Sequence, residues 1–242
     1  MTGEPPRAMR IQRAMARAGV ASRRGADELV AAGRVTVNGV RAAIGQSVVP
    51  GRDRILVDGR PLPAEGVHRW FVLNKPMGVI TTRRDPQKRP TVFSLVPDVP
   101  GLTYVGRLDY LTAGVLLLTN DGDAAHALAH PSGGIARTYI ATVRGDATTA
   151  AAVIKRGVRL DDGIARVESV QVRPAAGKAA GRLRELEVTL REGRNREVRR
   201  LCEAVGLRVE TLVRTQYGPI GLGTLRPGEW RELTEKEVRA LK

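Results

Sequence analysis

A single cysteine, Cys202, in 242 residues leaves no partner for an internal disulfide and no set of thiols for a metal. Aromatic side chains make up only 3%, so a core must be assembled mainly from Val, Leu, Ile and Ala. No run approaches the roughly 20 uninterrupted apolar residues of a membrane helix, and no membrane partner is expected. The first ten residues hold Pro5, Pro6, Arg7 and Arg10 but no apolar stretch, so they do not read as a secretory leader. A Walker A motif and a Gly-x-Gly-x-x-Gly after a strand are both missing, which removes support for ATP, dinucleotide or methyl-donor binding. No nucleophile elbow is written either, so Ser-His-Asp chemistry has no support. His126 and His130 stand four apart on a helical pattern, but no third ligand accompanies them, and no metal is expected. Acids are the minority among charges: 25 Asp and Glu against 40 Lys and Arg, a net charge of +15.

What is present is globular, with 42% hydrophobic and 27% charged residues, enough for one large domain or two smaller ones. A compositional bias explains Arg standing in place of Lys, but not 15 more bases than acids. An excess of that size fits a polyanionic partner, because each phosphate neutralised releases counterions. The expectation is a cytoplasmic nucleic-acid-binding protein, monomeric by default.

The chain opens with residues 1–8, read as a flexible terminus. Beyond it, Ile11, Met15 and Ala18 share one side of a helix while Arg10, Arg13 and Arg17 lie elsewhere on it. Gly19 ends that helix, Ser22 can cap the next over Arg23–Ala32, and Gly33 closes it. Arg34–Val37 alternates like a strand and runs into Asn38-Gly39, a strong hairpin signal; Arg54–Val57 repeats the pattern before Asp58-Gly59. Six Arg and no acid occur from Arg7 to Arg24, a one-sign face of the kind that contacts phosphate. The run RIQRAMARAGVASRRGADELVAAGRVTVNGV resembles the S4 RNA-binding module. That resemblance implies that Arg10, Arg13, Arg23, Arg24 and Arg34 lie toward an RNA backbone, in a domain spanning 9–60. It says nothing about catalysis.

After a Pro- and Gly-bearing linker at 61–68, residues 69–242 are strand-rich. Trp70–Asn74, Leu102–Val105, Gly114–Thr119, Thr138–Val143 and Leu186–Leu190 read as strands, and Ala124–Ala129 and Arg194–Val205 as helices. The expected class is α+β: a small α/β module, then a catalytic domain on a mixed, largely antiparallel sheet. Asp109 falls on a polar loop, Arg107-Leu108-Asp109, between two apolar strands. On residue type alone it is either a turn cap or a reactive carboxylate.

The stretch YVGRLDYLTAGVLLLTNDG (Tyr104–Gly122) resembles the signature of the pseudouridine synthases of the RsuA/RluB type, a ribosomal-RNA family that usually carries an S4 module. Four further segments agree in order: LNKPMGVITT (Leu73–Thr82), RTYIATV (Arg137–Val143), EGRNREVRRLCEAVG (Glu192–Gly206) and VETLVRTQYGPIGLGTLRPGEWREL (Val209–Leu233). Arg137 departs to where a Lys is common, and Glu197 to where a Gln is frequent. The resemblance implies a catalytic carboxylate at Asp109, with Arg199 as its paired cation, Tyr139 against the target base and Leu212 as an apolar neighbour. Read without it, Arg199 is one of five Arg between 191 and 200 that contact phosphate, and Tyr139 and Leu212 are core residues. Arg107 is a candidate wedge in the RNA stack, and Arg194, Arg196 and Arg200 are candidate phosphate contacts. Lys75 is either a phosphate contact or a solvated lysine. The implied reaction is isomerisation of a uridine in structured ribosomal RNA, with a lean to large-subunit 23S RNA over small-subunit 16S RNA. It oxidises and adds nothing, so no cofactor is required. A catalytically silent RNA-binding or ribosome-assembly protein is the competing reading.

Overall fold

The computed structural model describes residues 8–64, 66–175 and 183–241. Most of the stretch read as a flexible terminus, residues 1–7, lies outside the described residues, as does position 65 of the linker. The chain divides into two compact units. One falls within Met1–Arg69 and takes in Asp98–Thr103 and Thr119–Asp123; the other holds Trp70–Pro97, Tyr104–Leu118 and Ala124–Lys242.

In the first unit, β1 (Met9–Arg10) leads into α1 (Ile11–Arg17), then α2 (Arg23–Ala31). Five further short strands follow: β2 (Val35–Val37), β3 (Val40–Arg41), β4 (Ser47–Val48), β5 (Ile55–Val57) and β6 (Arg60–Pro61). Ser22 caps α2, its Oγ accepting from the Gly25 amide at 3.1 Å. Asn38 and Gly39 both take positive φ, 52° and 85°, and Asp58 and Gly59 repeat this at 49° and 76°. Those are the conformations that two-residue hairpin turns demand, and they fix the sheet order β3-β2-β5-β6. Ile11, Met15, Val30, Val35, Val48 and Ile55 fill the core beneath.

The second unit is built on a nine-stranded sheet. Its strands are β7 (Trp70–Lys75), β8 (Thr103–Val105), β9 (Thr112–Thr119), β10 (Arg137–Arg144), β13 (Ser169–Pro174), β14 (Arg184–Leu190), β15 (Arg208–Tyr217), β16 (Ile220–Gly221) and β17 (Trp230–Glu232). A separate ribbon pairs β11 (Val158–Leu160) with β12 (Gly163–Ala165). The central order is β13-β14-β10-β15-β9-β7-β17. Neighbours of known register pair antiparallel, except β15 with β9, which run parallel. This is a mixed, mostly antiparallel sheet in an α+β chain. Val115–Leu118 are fully buried, as expected of a central strand covered on both faces. Helices α4 (Ala147–Arg156) and α5 (Glu197–Ala204) pack on one apolar cluster, α3 (Gly122–Ala129) and α6 (Glu235–Leu241) on another. Among the described residues no helix is long and apolar enough to cross a membrane.

Helix α5 starts three residues later than the periodicity suggests. Arg196 sits in the left-handed region at φ 49° as the residue before the helix, and Glu197 turns back to accept from the Arg194 amide at 3.1 Å. Arg194 and Arg196 therefore belong to a loop, not to a helical face.

At the parallel pair, Gly114 stands opposite Arg214. Gly114 has φ 108°, and a Cβ placed there would lie 2.1 Å from the Arg214 carbonyl oxygen. Strain and overpacking each cost roughly 1–3 kcal/mol, and here both apply to backbone. Gly114→Ala is thus expected to destabilise by at least about 2 kcal/mol in denaturant unfolding, whereas Gly122→Ala, with open space around it, stays within about 0.5 kcal/mol. Equal midpoints for the two variants would contradict the close approach.

Candidate active site

Asp109 lies on the loop between β8 and β9, and that loop is pinned by backbone contacts on both sides. Thr81 Oγ1 donates to the Leu108 carbonyl at 2.8 Å, and the Gly78 amide donates to the Tyr110 carbonyl at 2.9 Å. Arg199 Nη2 donates to the Leu111 carbonyl at 2.8 Å. The turn itself is closed by the Thr112 amide donating to the Asp109 backbone carbonyl at 3.0 Å. The backbone therefore does the work of a turn cap. Among the described residues nothing hydrogen-bonds or ion-pairs with the Asp109 carboxylate.

That carboxylate borders a cleft of about 270 Å³. Its walls bring Asp109 together with Tyr139 of β10, Leu212 and Arg214 of β15, Thr112, the loop 193–196 and the first residues of α5, Glu197 and Val198. All four residues assigned by resemblance meet here or beside it. Leu212 is buried opposite Thr112 and Ala141, so it seals the floor. Tyr139 is half-buried, so it is not a fully enclosed core aromatic.

Arg199 corrects one expectation. It makes no ion pair with Asp109 within 4 Å; its guanidinium holds the Leu111 carbonyl instead, and Nε is buried without a partner. Burial and the charge of Arg196 pull its pKa down, and the field of Asp109 opposes them. The coupling to Asp109 runs through space rather than through a hydrogen bond.

Lys75 is the larger correction. It is 0% exposed, so it neither meets phosphate nor sits in solvent. Its Nζ donates to the Pro76 carbonyl at 2.9 Å, and burial lowers its pKa to about 8 against the opposing field of Asp109. Asp109 thus lies in the fields of two cations fixed inside the protein, Lys75 and Arg199.

Three members of the cleft region escaped the sequence reading. Arg214 is 2% exposed; Nε donates to the Val115 carbonyl at 2.8 Å, Nη1 approaches the Tyr139 hydroxyl at 3.5 Å, and Nη2 is buried with no partner. Arg137 is buried too, donating to the Arg191 carbonyl at 3.0 Å and to the Glu192 carbonyl, and lying over the Tyr217 ring. Glu197 is buried with Oε1 unpartnered, and burial raises its pKa. The signals were in plain view, as Arg214 lies two residues after Leu212 in the same motif. A strand's two-residue period puts both on one face.

The surface cations divide into free and engaged. Arg107 and Arg196 are exposed at the rim of the cleft, and Arg24 is exposed on α2. Arg10 is exposed and reaches the Gly45 carbonyl. Arg34 is held by Asp58 through two bonds of 2.8 and 2.5 Å. Arg13, Arg17 and Arg23 converge on Asp123, Arg13 at 2.6 Å and Arg23 at 3.9 Å. Burial raises the Asp123 pKa, but these guanidinium groups outweigh it and hold the carboxyl low. Arg194 and Arg200 both pair with Asp162, at 3.3 and 2.8 Å, so neither is the unencumbered phosphate contact expected. His126 and His130 are exposed, and no group of three or more metal-type ligands occurs among the described residues. A larger hollow of about 1040 Å³ lies in the first unit, but its one acid, Asp53, is occupied by the Val49 amide and by Asn38.

Comparison with known proteins gives a consistent picture. The family profile for RNA pseudouridylate synthase matches residues 69–204, and that for the S4 domain matches 9–55. An uncharacterized RNA pseudouridine synthase of Mycobacterium tuberculosis is 42% identical over 98% of this chain and 94% of its own length. The ribosomal large subunit pseudouridine synthase B of Pseudomonas aeruginosa is 42% identical over 96% of this chain and 61% of its own length. A crystal structure of a pseudouridylate synthase superposes with a TM-score of 0.66 at 25% identity, covering 97% of this chain and all of that one.

The Lys75 environment makes a pH prediction. Its pKa is near 10.4 when unfolded and about 8 when folded, so between those values the unfolded chain binds the extra proton and stability rises with pH. Wild type is expected to gain up to about 3 kcal/mol from pH 8 to pH 10.5 relative to Lys75→Met, by denaturant unfolding at each pH. Parallel pH profiles for the two proteins would place the amine in solvent.

Proposed function

Because the chain belongs to the RNA pseudouridylate synthase family, we propose that it isomerises a specific uridine in ribosomal RNA, that of the large subunit, with Asp109 as the reacting carboxylate. Pseudouridine formation breaks the N1–C1′ bond, turns the base and rejoins it through C5. The single observation that carries the assignment is the Asp109 side chain: unengaged, in a cleft, on a loop pinned at Leu108, Tyr110 and Leu111. An ionised carboxylate in that place serves either opening step, attack on C1′ or removal of the C2′ proton. Lys75 and Arg199 set two buried positive charges in its field.

The uridine must leave its stack to enter a cleft this small, a step that costs a few kcal/mol and least in loops and bulges. Arg107, exposed two residues before Asp109, fills the gap left behind, and Tyr139 stacks on the flipped base. Arg10, Arg24 and Arg196 meet backbone phosphate directly; Arg13, Arg23, Arg34, Arg194 and Arg200 do so by exchanging a carboxylate partner. Residues 9–60 supply placement, and 69–242 the chemistry. The relatives named for the large ribosomal subunit support the choice of RNA. We place the enzyme in the cytoplasm, acting as a monomer; the reaction is redox-neutral and calls for no cofactor.

The test is tritium release from ribosomal RNA labelled at C5 of uridine. Asp109→Asn keeps the turn, since its closing bond uses backbone atoms, but loses the charge. Release is expected to fall by more than about 10³-fold with folding and RNA affinity unchanged. Substantial release by this variant would remove Asp109 from the mechanism. No release by wild type on naked and assembled RNA alike would leave a silent RNA-binding protein, and mapping to small-subunit RNA would correct the target.

A further inference from the structure

Arg214 is a buried cation with no carboxylate partner among the described residues, its guanidinium carbon 5.1 Å from the centre of the Tyr217 ring. It is 2% exposed, its hydrogen bonds go to the Val115 carbonyl and the Tyr139 hydroxyl, and Nη2 has no hydrogen-bond partner. Among the described residues no carboxylate lies within 4 Å of Arg214, Arg137 or Arg199, three buried guanidinium groups in or beside one cleft. Burying a cation without a counter-charge costs several kcal/mol, so a fold keeps one where a ligand supplies the missing acceptor.

Position selects the ligand group. The exposed cations of this cleft, Arg107 and Arg196, sit at its rim, where a phosphate must stay because it is tied to the RNA backbone. Arg214 lies on the buried floor with Leu212, beside the half-buried Tyr139, the depth reached by the base alone. Uracil presents two carbonyl oxygens, O2 and O4. When N1–C1′ breaks, its electron pair stays with the ring, and the detached base is an anion with its charge on N1, O2 and O4. A fixed donor aimed at where charge develops is worth most in a site that excludes water.

We propose that Arg214 is a catalytic residue that donates from Nη2 to one carbonyl oxygen of the flipped uracil and stabilises the base anion between bond cleavage and rejoining through C5. The balance is complete: the base leaves with the electron pair of N1–C1′, while C1′ either bonds to the Asp109 carboxylate or joins C2′ in a double bond as Asp109 takes the C2′ proton. C5 then bonds to C1′ as the carboxylate departs or as the proton returns to C2′, the C5 proton leaves to solvent, and N1 takes a proton from solvent. This assignment rests on the isomerase reading above, and its test separates the two.

The experiment uses an RNA hairpin holding the mapped uridine, with O2 or O4 of that nucleotide replaced by sulfur, a weaker acceptor, and product read by nucleoside chromatography. Wild type is expected to turn over one of the two sulfur-substituted hairpins at least 10-fold more slowly than the unsubstituted one. Arg214→Met is expected to lose at least 100-fold in turnover with RNA affinity within 3-fold, and then to be indifferent to sulfur. Arg214→Lys, keeping the charge, recovers part of the loss. Wild type indifferent to both substitutions overturns the proposal even if the variants fail to fold. So does an Arg214→Met protein that keeps the full sulfur effect, the outcome expected if Arg214 merely braces the sheet. A wild type inactive on the unsubstituted hairpin overturns the isomerase reading itself, and this assignment with it.

Discussion

Where β9 and β15 run side by side, Leu212 stands opposite Thr112 and Arg214 opposite Gly114. That one parallel register brings the loop before β9, which ends in Asp109, against the side chains of a strand 100 residues later. A shift of one residue would turn Leu212 and Arg214 to the other face of the sheet and leave the cleft without a floor. The contact depends on Gly114, because no side chain fits between the two backbones. Thr81, Gly78 and Arg199 then fix the height of the loop above the floor. The segment LNKPMGVITT thus holds the loop, through Gly78 and Thr81.

The electrostatics of the cleft are costly by design. Four cations, Lys75, Arg137, Arg199 and Arg214, are buried in and around it, while Asp109 is held by none of them directly. A hydrogen-bonded ion pair would have occupied a carboxylate oxygen that this arrangement leaves open to the cleft. Asp109 is left without a hydrogen-bonded partner while two buried cations act on it at a distance. Lys75, with its pKa lowered to about 8, shows that the protein pays for this arrangement in stability.

Much of the fold and part of the site were legible. The hairpin dipeptides Asn38-Gly39 and Asp58-Gly59 and the Ser22 cap are local signals, and local physics decides them. Asp109 stood out because a polar loop between apolar strands is visible in sequence, and the resemblance supplied its role. Lys75 was misread because a lysine in the middle of a motif gives no sign of being roofed over by residues far along the chain. Arg214 was passed over for the same reason: its isolation is a matter of which side chains fail to reach it. The late start of α5 was hidden in Arg196, since no periodicity forecasts a left-handed residue that is neither Gly nor Asn.

Charge was the property read most directly and the one that most needed structure. A net charge of +15 counts every arginine as available, and a run of six Arg without an acid suggests a bare cationic face. Yet Asp123, a hundred residues further on, gathers Arg13, Arg17 and Arg23 around a single carboxylate, and Asp58 takes Arg34. A phosphate arriving at such a cluster gains less than at a free arginine, because it must displace or share a partner already in place. Non-specific binding scales with the number of counterions released, so pairing lowers it. Specific binding suffers less, since arginines held in fixed positions lose little freedom when the right RNA presents its phosphates there. The acids within the basic surface therefore cost affinity for RNA in general and preserve it for the one shape that fits.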